Sequence, residues 1–114
     1  SERWRGVMEW ADSNERSCHM TEMKAGLGGE QKDYEAQAAT FAAILEALLE
    51  HRLNGEISWN VWNITDGLAW IKNRDKEGTL FDANGEAKPA YYAVQEVLEN
   101  PPAPRAPLAS TPNF

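Results

Sequence analysis

The segment ISWNVWNITDGLAW, residues 57–70, joins a strand-like pattern to a tryptophan-rich loop. Its first residues alternate, so that Ile57, Trp59 and Val61 share one face while the opposite face is mostly polar. A β-strand with one buried face has this pattern. We therefore predict a strand over residues 57–62, followed by a loop that contains Asp66 and Trp70.

The residues before this strand have the clearest helical pattern in the chain. Their apolar side chains form one stripe, made of Ala38, Phe41, Ala42, Leu45, Leu48 and Leu49. Such a stripe is typical of a helix that packs on a core. Asp33 is a plausible N-cap, and Asn54-Gly55 predicts a left-handed stop near the end of this helix.

Further elements lie on either side. Residues 3–12 and 89–99 have helical spacing, and Pro89 suits the first position of a helix. The predicted buried side of the last helix consists of Ala90, Val94, Val97 and Leu98. Residues 17–23, SCHMTEM, predict a strand with Cys18, Met20 and Glu22 on one face. Asn84-Gly85 predicts a tight turn.

The resulting order, helix–strand–helix–strand–helix, indicates an α/β fold with parallel βα units. Parallel sheets normally have both faces covered and include further strands. Two strands leave unpaired edges, so we do not expect this chain to fold or act without further segments. Residues 101–114, PPAPRAPLASTPNF, predict a Pro-rich linker or tail distinct from residues 1–100.

Composition excludes several classes of function. A net charge of -7 argues against nucleic-acid binding, and the chain has no apolar run long enough for a membrane span. Its first ten residues do not have the pattern of a signal peptide, so the chain resembles the middle of a longer protein. Cys18, His19 and His51 lack paired-ligand spacing, so no metal or cofactor is expected. Cys18 is expected to be a buried, inert thiol.

Large indole rings beside Asn60, Asn63 and Asp66 combine apolar faces with hydrogen-bonding edges. Both are required to bind a sugar ring, so carbohydrate is the first candidate ligand. The alternative is that the tryptophans fill a core. Asp66, in a Thr-Asp-Gly sequence, is more often a turn-former than a catalyst.

Several short motifs occur in an order that carries a family resemblance. They are MTEM (20–23), LLEHR (48–52), WNITDGLAW (62–70), TLFD (79–82) and KPAYYAV (88–94). Together they resemble the C-terminal part of glycoside hydrolase family 10, the endo-β-1,4-xylanases, over roughly residues 3–99. The resemblance implies about strands 7 and 8, with their flanking helices, of a (β/α)₈ TIM barrel.

The resemblance also implies a chemistry and a location. Glu22 would be the catalytic nucleophile of a retaining xylanase, while Trp62, Trp70, Asn63 and Asp66 would contact xylan. Trp59, on the other strand face, would then pack beneath the helices. The family's acid/base glutamate lies in a V-N-E-type motif that this chain lacks, so a remaining barrel segment must supply it, in the same polypeptide or as a separate chain. Secretion is implied by the resemblance.

One departure from the family pattern lies close to the expected nucleophile. The family usually has Asp two positions after this residue, whereas this chain has Lys24. A cation there would favour the ionised form of Glu22, or it could face solvent. Two alternative functions stay open: a carbohydrate-binding module with Trp62 and Trp70 as its platform, and a truncated scaffold segment without function.

Overall fold

A computed structural model describes residues 2–27, 33–68 and 77–106 of the chain. Along these ranges it contains α1 (Glu2–Ser13), β1 (Cys18–Met23), α2 (Tyr34–Glu50), β2 (Ile57–Val61) and α3 (Pro89–Glu99), with a short 3-10 helix at Asp66–Leu68. The predicted alternation of helices and strands is confirmed. The turn at Asn84-Gly85 is confirmed as well, because Gly85 has a φ of 80° and its N–H donates to the carbonyl of Asp82.

The two strands pair in parallel, as predicted. Cys18 lies opposite Ile57, and Met20 lies opposite Trp59. Within the described residues they form a two-stranded sheet, so each strand has one outer edge without a neighbouring strand among those residues. A parallel sheet of this size is not expected to be stable without additional strands.

A β-bulge interrupts β1 near its end. Met20 lies opposite Trp59 and Met23 opposite Val61, so β1 needs three steps where β2 needs two. Thr21 and Glu22 are both exposed, whereas Met23 is buried. The prediction that Glu22 shares a face with Cys18 and Met20 is therefore wrong, because the extra residue gives Met23 the core position and turns Glu22 to the open side.

The core lies between α2 and the sheet, and α3 packs against α2. Phe41 is fully buried, and its ring meets Trp59 edge to face at a centroid distance of 6.4 Å. The indole N–H of Trp59 points to the sulfur of Met23 at 3.2 Å. Trp59 thus packs beneath the helices as predicted, and its polar edge has a partner.

The ends of α2 depend on two different effects. Its start agrees with the prediction, because the Asp33 carboxylate accepts a 2.9 Å hydrogen bond from the N–H of Ala36. Its end does not. The helix stops at Glu50, and the left-handed residue predicted at Asn54-Gly55 is absent, since neither residue is among those with positive φ.

Glycine is required at Gly55 by close packing, because a Cβ there would lie 2.9 Å from both the Arg16 carbonyl and the His51 ring.

The outer faces of α1 and α3 are partly apolar. On α1, Met8 and Ala11 are buried, but Trp4, Val7 and Trp10 are exposed. On α3, Ala90, Val94 and Val97 are buried as predicted. Leu98 is 56% exposed, so its predicted burial is wrong in the described structure.

The first part of the Pro-rich segment contacts the helices. The N–H of Arg105 donates to the carbonyl of Glu50 at 2.7 Å, and Arg52 donates to the carbonyl of Pro102 at 2.9 Å. Residues 107–114 lie outside the described ranges. A separate linker beginning at residue 101 stays a prediction. Among the described helices, none has the length and apolar character needed to cross a membrane.

Candidate functional site

Glu22 and Trp62 lie together where the two strands end. The carboxyl ends of parallel strands meet at one edge of a sheet, where α/β proteins usually bind ligands. The N–H of Trp62 donates to the carbonyl of Met23, next to Glu22, at 2.8 Å. Both the Glu22 and Trp62 side chains are exposed. The structure therefore brings a carboxylate and an indole ring to one accessible edge.

Asn63 bends the chain sharply after β2. Its φ of 67° lies in the left-handed region, which asparagine tolerates better than most other residues. β2 ends at Val61, and the left-handed Asn63 two residues later turns the chain into the loop towards Asp66. Trp70, the other indole expected at the site, lies outside the described residues.

The Asp66 side chain is buried and makes several contacts within the protein. Its Oδ1 accepts hydrogen bonds from the N–H and hydroxyl of Thr79 at 3.0 and 2.7 Å. Its Oδ2 lies 2.9 Å from Lys88 Nζ, and both charged side chains are 3% exposed. These contacts favour the turn-stabilising alternative for Asp66, while direct contact with a ligand stays an untested prediction.

Lys88 was not recognised from the sequence as more than a helix-start residue. It does occupy the N-cap position of α3, but its side chain turns inward and makes no capping hydrogen bond. Its partner Asp66 is 22 residues away, and its other acceptors are backbone carbonyls. Lysine is almost never fully buried unless it is paired. Because the partner of Lys88 lies 22 residues away, no local sequence pattern signals the contact.

The face of the sheet that turns away from α2 is polar. His19 and Ser58 lie opposite each other in the register, and the His19 ring nitrogen Nδ1 is 2.9 Å from the Ser58 hydroxyl. Asn60 is exposed on β2, two residues after Ser58 and closer to Trp62. Polar groups therefore lead along this face to the edge that carries Glu22. Such a surface can hydrogen-bond hydroxyl groups while an indole ring covers an apolar face.

Cys18 and the histidines do not form a metal site in the described residues. No group of three His, Cys, Asp or Glu side chains is arranged there to hold a metal ion. Burial raises the pKa of the Cys18 thiol, and the nearby Asp12 carboxylate adds to the rise. The thiol is therefore a poor nucleophile at neutral pH.

The family model described as "Glycosyl hydrolase family 10" matches residues 2–97 of the chain. The matched range includes both strands, the strand-end edge and the buried Asp66–Lys88 pair. This chain belongs to glycosyl hydrolase family 10.

Similar proteins agree with that assignment. Endo-1,4-beta-xylanase B of Thermotoga neapolitana is 32% identical over a region that covers 71% of this chain and 25% of the relative. This family 10 chain thus spans about a quarter of that relative's length.

Solved structures of family 10 xylanases share the fold. A xylanase 10B from Clostridium thermocellum, containing CBM22 and GH10 modules in complex with xylohexaose, superposes with a TM-score of 0.74 at 21% identity, covering 84% of this chain and 19% of that one. A glycosylated endo-beta-1,4-xylanase from Gloeophyllum trabeum superposes with a TM-score of 0.66 at 27% identity. The match covers 82% of this chain and 31% of that one. The described elements therefore correspond to part of a xylanase TIM barrel.

Proposed function

We propose that this chain is the C-terminal part of a retaining endo-β-1,4-xylanase, with β1 and β2 as strands 7 and 8 of the barrel and Glu22 as the nucleophile. The observation that carries the proposal is the position of Glu22. The β-bulge turns this carboxylate away from the core, at the carboxyl end of a parallel strand and next to the start of the Trp62 loop. Bulges often re-aim side chains beside active sites.

The proposed reaction has two steps. In the first, a Glu22 oxygen bonds to the anomeric carbon of a xylose unit as the glycosidic C–O bond breaks, and a second carboxylic acid protonates the departing oxygen. In the second, that group takes a proton from water, and the resulting oxygen attacks the anomeric carbon and releases Glu22. Retaining enzymes hold the two carboxyl groups about 5–5.5 Å apart. No cofactor is needed.

The aromatic residues would orient the substrate. Trp62 is 37% exposed at the same edge as Glu22, so its ring is available to stack on a sugar. By the family resemblance we assign Trp70 to shaping the sugar site, and we assign Asn63 to hydrogen bonding with sugar hydroxyls. Asp66 is assigned to loop support, because both of its carboxylate oxygens already have partners.

The missing acid/base glutamate would come from the remaining barrel, in the same polypeptide or as a separate chain. Several features support such a partner. The outer face of α1 exposes Trp4, Val7 and Trp10, and the outer face of α3 exposes Tyr92 and Leu98. Neighbouring βα units of a barrel pack side by side, so these exposed apolar groups are available to such a unit. Burying them would remove a large apolar area from water.

We further propose that the protein is secreted. Polymeric xylan does not cross a membrane, so an enzyme that cleaves it internally must meet it outside the cell. The presence of the protein in culture medium, measured against a cytoplasmic marker, tests this location.

Replacement of Glu22 in the complete barrel tests the nucleophile. Glu22→Ala is expected to lower kcat on an aryl β-xylobioside by roughly three orders of magnitude or more, because the covalent step is lost. Added azide should restore turnover by entering the vacated space, forming a C–N bond as the aryloxide leaves. The product should be the α-configured glycosyl azide, detectable by NMR. Near wild-type hydrolysis by Glu22→Ala would contradict the proposal.

Glu56 offers a matched control. It is an exposed glutamate beside the amino end of β2, at the opposite end of the sheet from Glu22. Glu56→Ala should leave kcat unchanged and should show no response to azide. Titration of the chain without partner segments, using xylo-oligosaccharides, separates the enzyme from the binding-module alternative. Saturable binding in that experiment would favour the module.

A further inference from the structure

A buried ammonium group joins several backbone segments below the strand-end edge. Lys88 Nζ donates to Asp66 Oδ2 at 2.9 Å, to the Glu77 carbonyl at 2.5 Å and to the Thr79 carbonyl at 2.8 Å. A lysine ammonium has three N–H groups, so these three contacts use its whole donor capacity. The position of Nζ is therefore fixed by three acceptors that belong to the loop after β2 and to the segment before α3.

The same network reaches the loop after β1. The Glu77 carbonyl also accepts a hydrogen bond from Gln37 Nε2 at 2.8 Å, and Gln37 Nε2 donates to the Ala25 carbonyl at 2.6 Å. The N–H of Ala25 donates to the Gly78 carbonyl at 3.1 Å. Ala25 follows Glu22 by three residues. The loops that follow the two strands are thus connected through Lys88, Glu77 and Gln37.

We infer that Lys88, acting through Asp66, is a positioning residue that holds the loop beginning at Trp62 in register with the strand end that carries Glu22. This inference rests on the proposed function of that edge. The Lys88 side chain is buried, and its ammonium donates to Asp66, Glu77 and Thr79, so its effect on the edge is indirect. Its effect passes through the loop that Asp66 anchors and through the Glu77–Gln37 hydrogen bond to the loop after β1.

A charged pair is suited to this task for a geometric reason. Apolar residues of similar volume can replace a buried ion pair with little loss of stability, but they do not impose hydrogen-bond directions. The ammonium here fixes three acceptors from different parts of the chain. An error of about 1 Å between a nucleophile and its substrate can cost about a hundredfold in rate. Positioning, more than stability, is therefore the property that this pair should control.

The test uses the complete barrel and measures the rate per functional site. A 2-fluoro-xylobioside with a good leaving group would trap Glu22 covalently, so the trapped fraction counts the sites that are folded and reactive. We expect Lys88→Met to lower kcat per titrated site by about tenfold to a hundredfold. The double variant D66L/K88M should recover much of the thermal midpoint lost in Lys88→Met but should keep the low rate per site. A fall in the number of titrated sites with a per-site kcat within twofold of wild type would overturn the inference.

Two further variants keep the outcome clear. Asp66→Asn preserves side-chain shape while removing the charge, so it remains measurable if Lys88→Met does not fold, and it should also lower the per-site kcat. Arg52→Met removes another cation that donates to two carbonyls, those of Leu49 and Pro102, at the end of α2. It should affect stability without changing the per-site rate. Failure of the fluoro-sugar to label Glu22 in the wild-type protein would count against the proposed function itself. If labelling succeeds but the Lys88→Met and Asp66→Asn variants keep the wild-type rate per site, the role of Lys88 is contradicted.

Discussion

The buried pair of Asp12 and His51 provides a stability prediction that does not depend on the proposed function. His51 is fully buried at the end of α2, and its Nδ1 contacts Asp12 Oδ1. Its Nε2 lies 2.9 Å from the Arg16 carbonyl. The His51 ring therefore links the end of α2 to Asp12 of α1 and to the segment that follows α1.

His51→Leu removes both ring nitrogens while keeping a side chain of similar size. Breaking a buried ion pair by removing one partner costs about 3–5 kcal/mol, because the remaining charge loses its compensation. Here Asp12 keeps a second cation, since Arg105 Nη1 lies 3.1 Å from Asp12 Oδ2. We therefore expect the lower part of that range, about 3 kcal/mol of lost unfolding free energy. Urea denaturation of the complete barrel that carries each variant, followed by tryptophan fluorescence, measures this loss.

Two comparisons separate the ion pair from simple loss of packing. H51L/D12L removes both members of the pair and should cost less than His51→Leu, because no buried carboxylate is left behind. Arg105→Met removes the more exposed partner and should cost less than about 1 kcal/mol. A cost below 1 kcal/mol for His51→Leu, or a double variant less stable than His51→Leu, would show that the pair does not stabilise the fold in the way described.

Two other predictions concern glycine packing and thiol ionisation. Gly55→Ala should lower the free energy of unfolding by about 1–3 kcal/mol, because its Cβ would lie 2.9 Å from two atoms. Gly6→Ala should raise the free energy of unfolding by about 0.5–1 kcal/mol, because Gly6 lies inside α1 with open space around it. Equal thermal midpoints for the two variants would contradict the close approach at Gly55. The raised pKa of Cys18 means that the stability from its neutral thiol is present below the pKa of an unfolded-chain cysteine and is lost as pH rises through the folded-state pKa. Iodoacetamide should therefore alkylate Cys18 more slowly at pH 8 than it alkylates a cysteine in a short peptide, and Cys18→Ala should reduce the alkaline loss of stability; alkylation at the peptide rate would disprove the shift.

The helices and strands could be predicted because their signals are local. The apolar stripe of α2, its Asp33 cap and Pro89 at the start of α3 depend on neighbours within one or two turns. The strand over residues 57–62 followed from alternation, and β2 occupies Ile57–Val61. Errors occurred where a distant contact decided the outcome. Gly55 is the clearest case, because its close neighbours are Arg16 and His51 and not its own turn geometry.

The candidate site was partly predictable. Glu22 and Trp62 were selected from the motif order, and the parallel pairing of their strands brings them to one edge. The partners of Asp66 could not be predicted, because Thr79 and Lys88 are 13 and 22 residues away in sequence. A sequence pattern can show that an Asp favours a turn, but it cannot show which cation neutralises it after folding.

The order of the elements was accessible from periodicity, and family membership from short motifs, because both signals depend on neighbouring positions. Glu22 became accessible as a candidate nucleophile only through the family resemblance that those motifs carry. The direction in which Glu22 points was not accessible, because strict alternation would have placed it with Met20 against the core. One extra residue in β1 relative to β2 reverses that direction, and a bulge becomes visible when the two strands are paired. The burial of Lys88 was likewise decided by tertiary contacts, since its acceptors come together only when the loops after β1 and β2 meet.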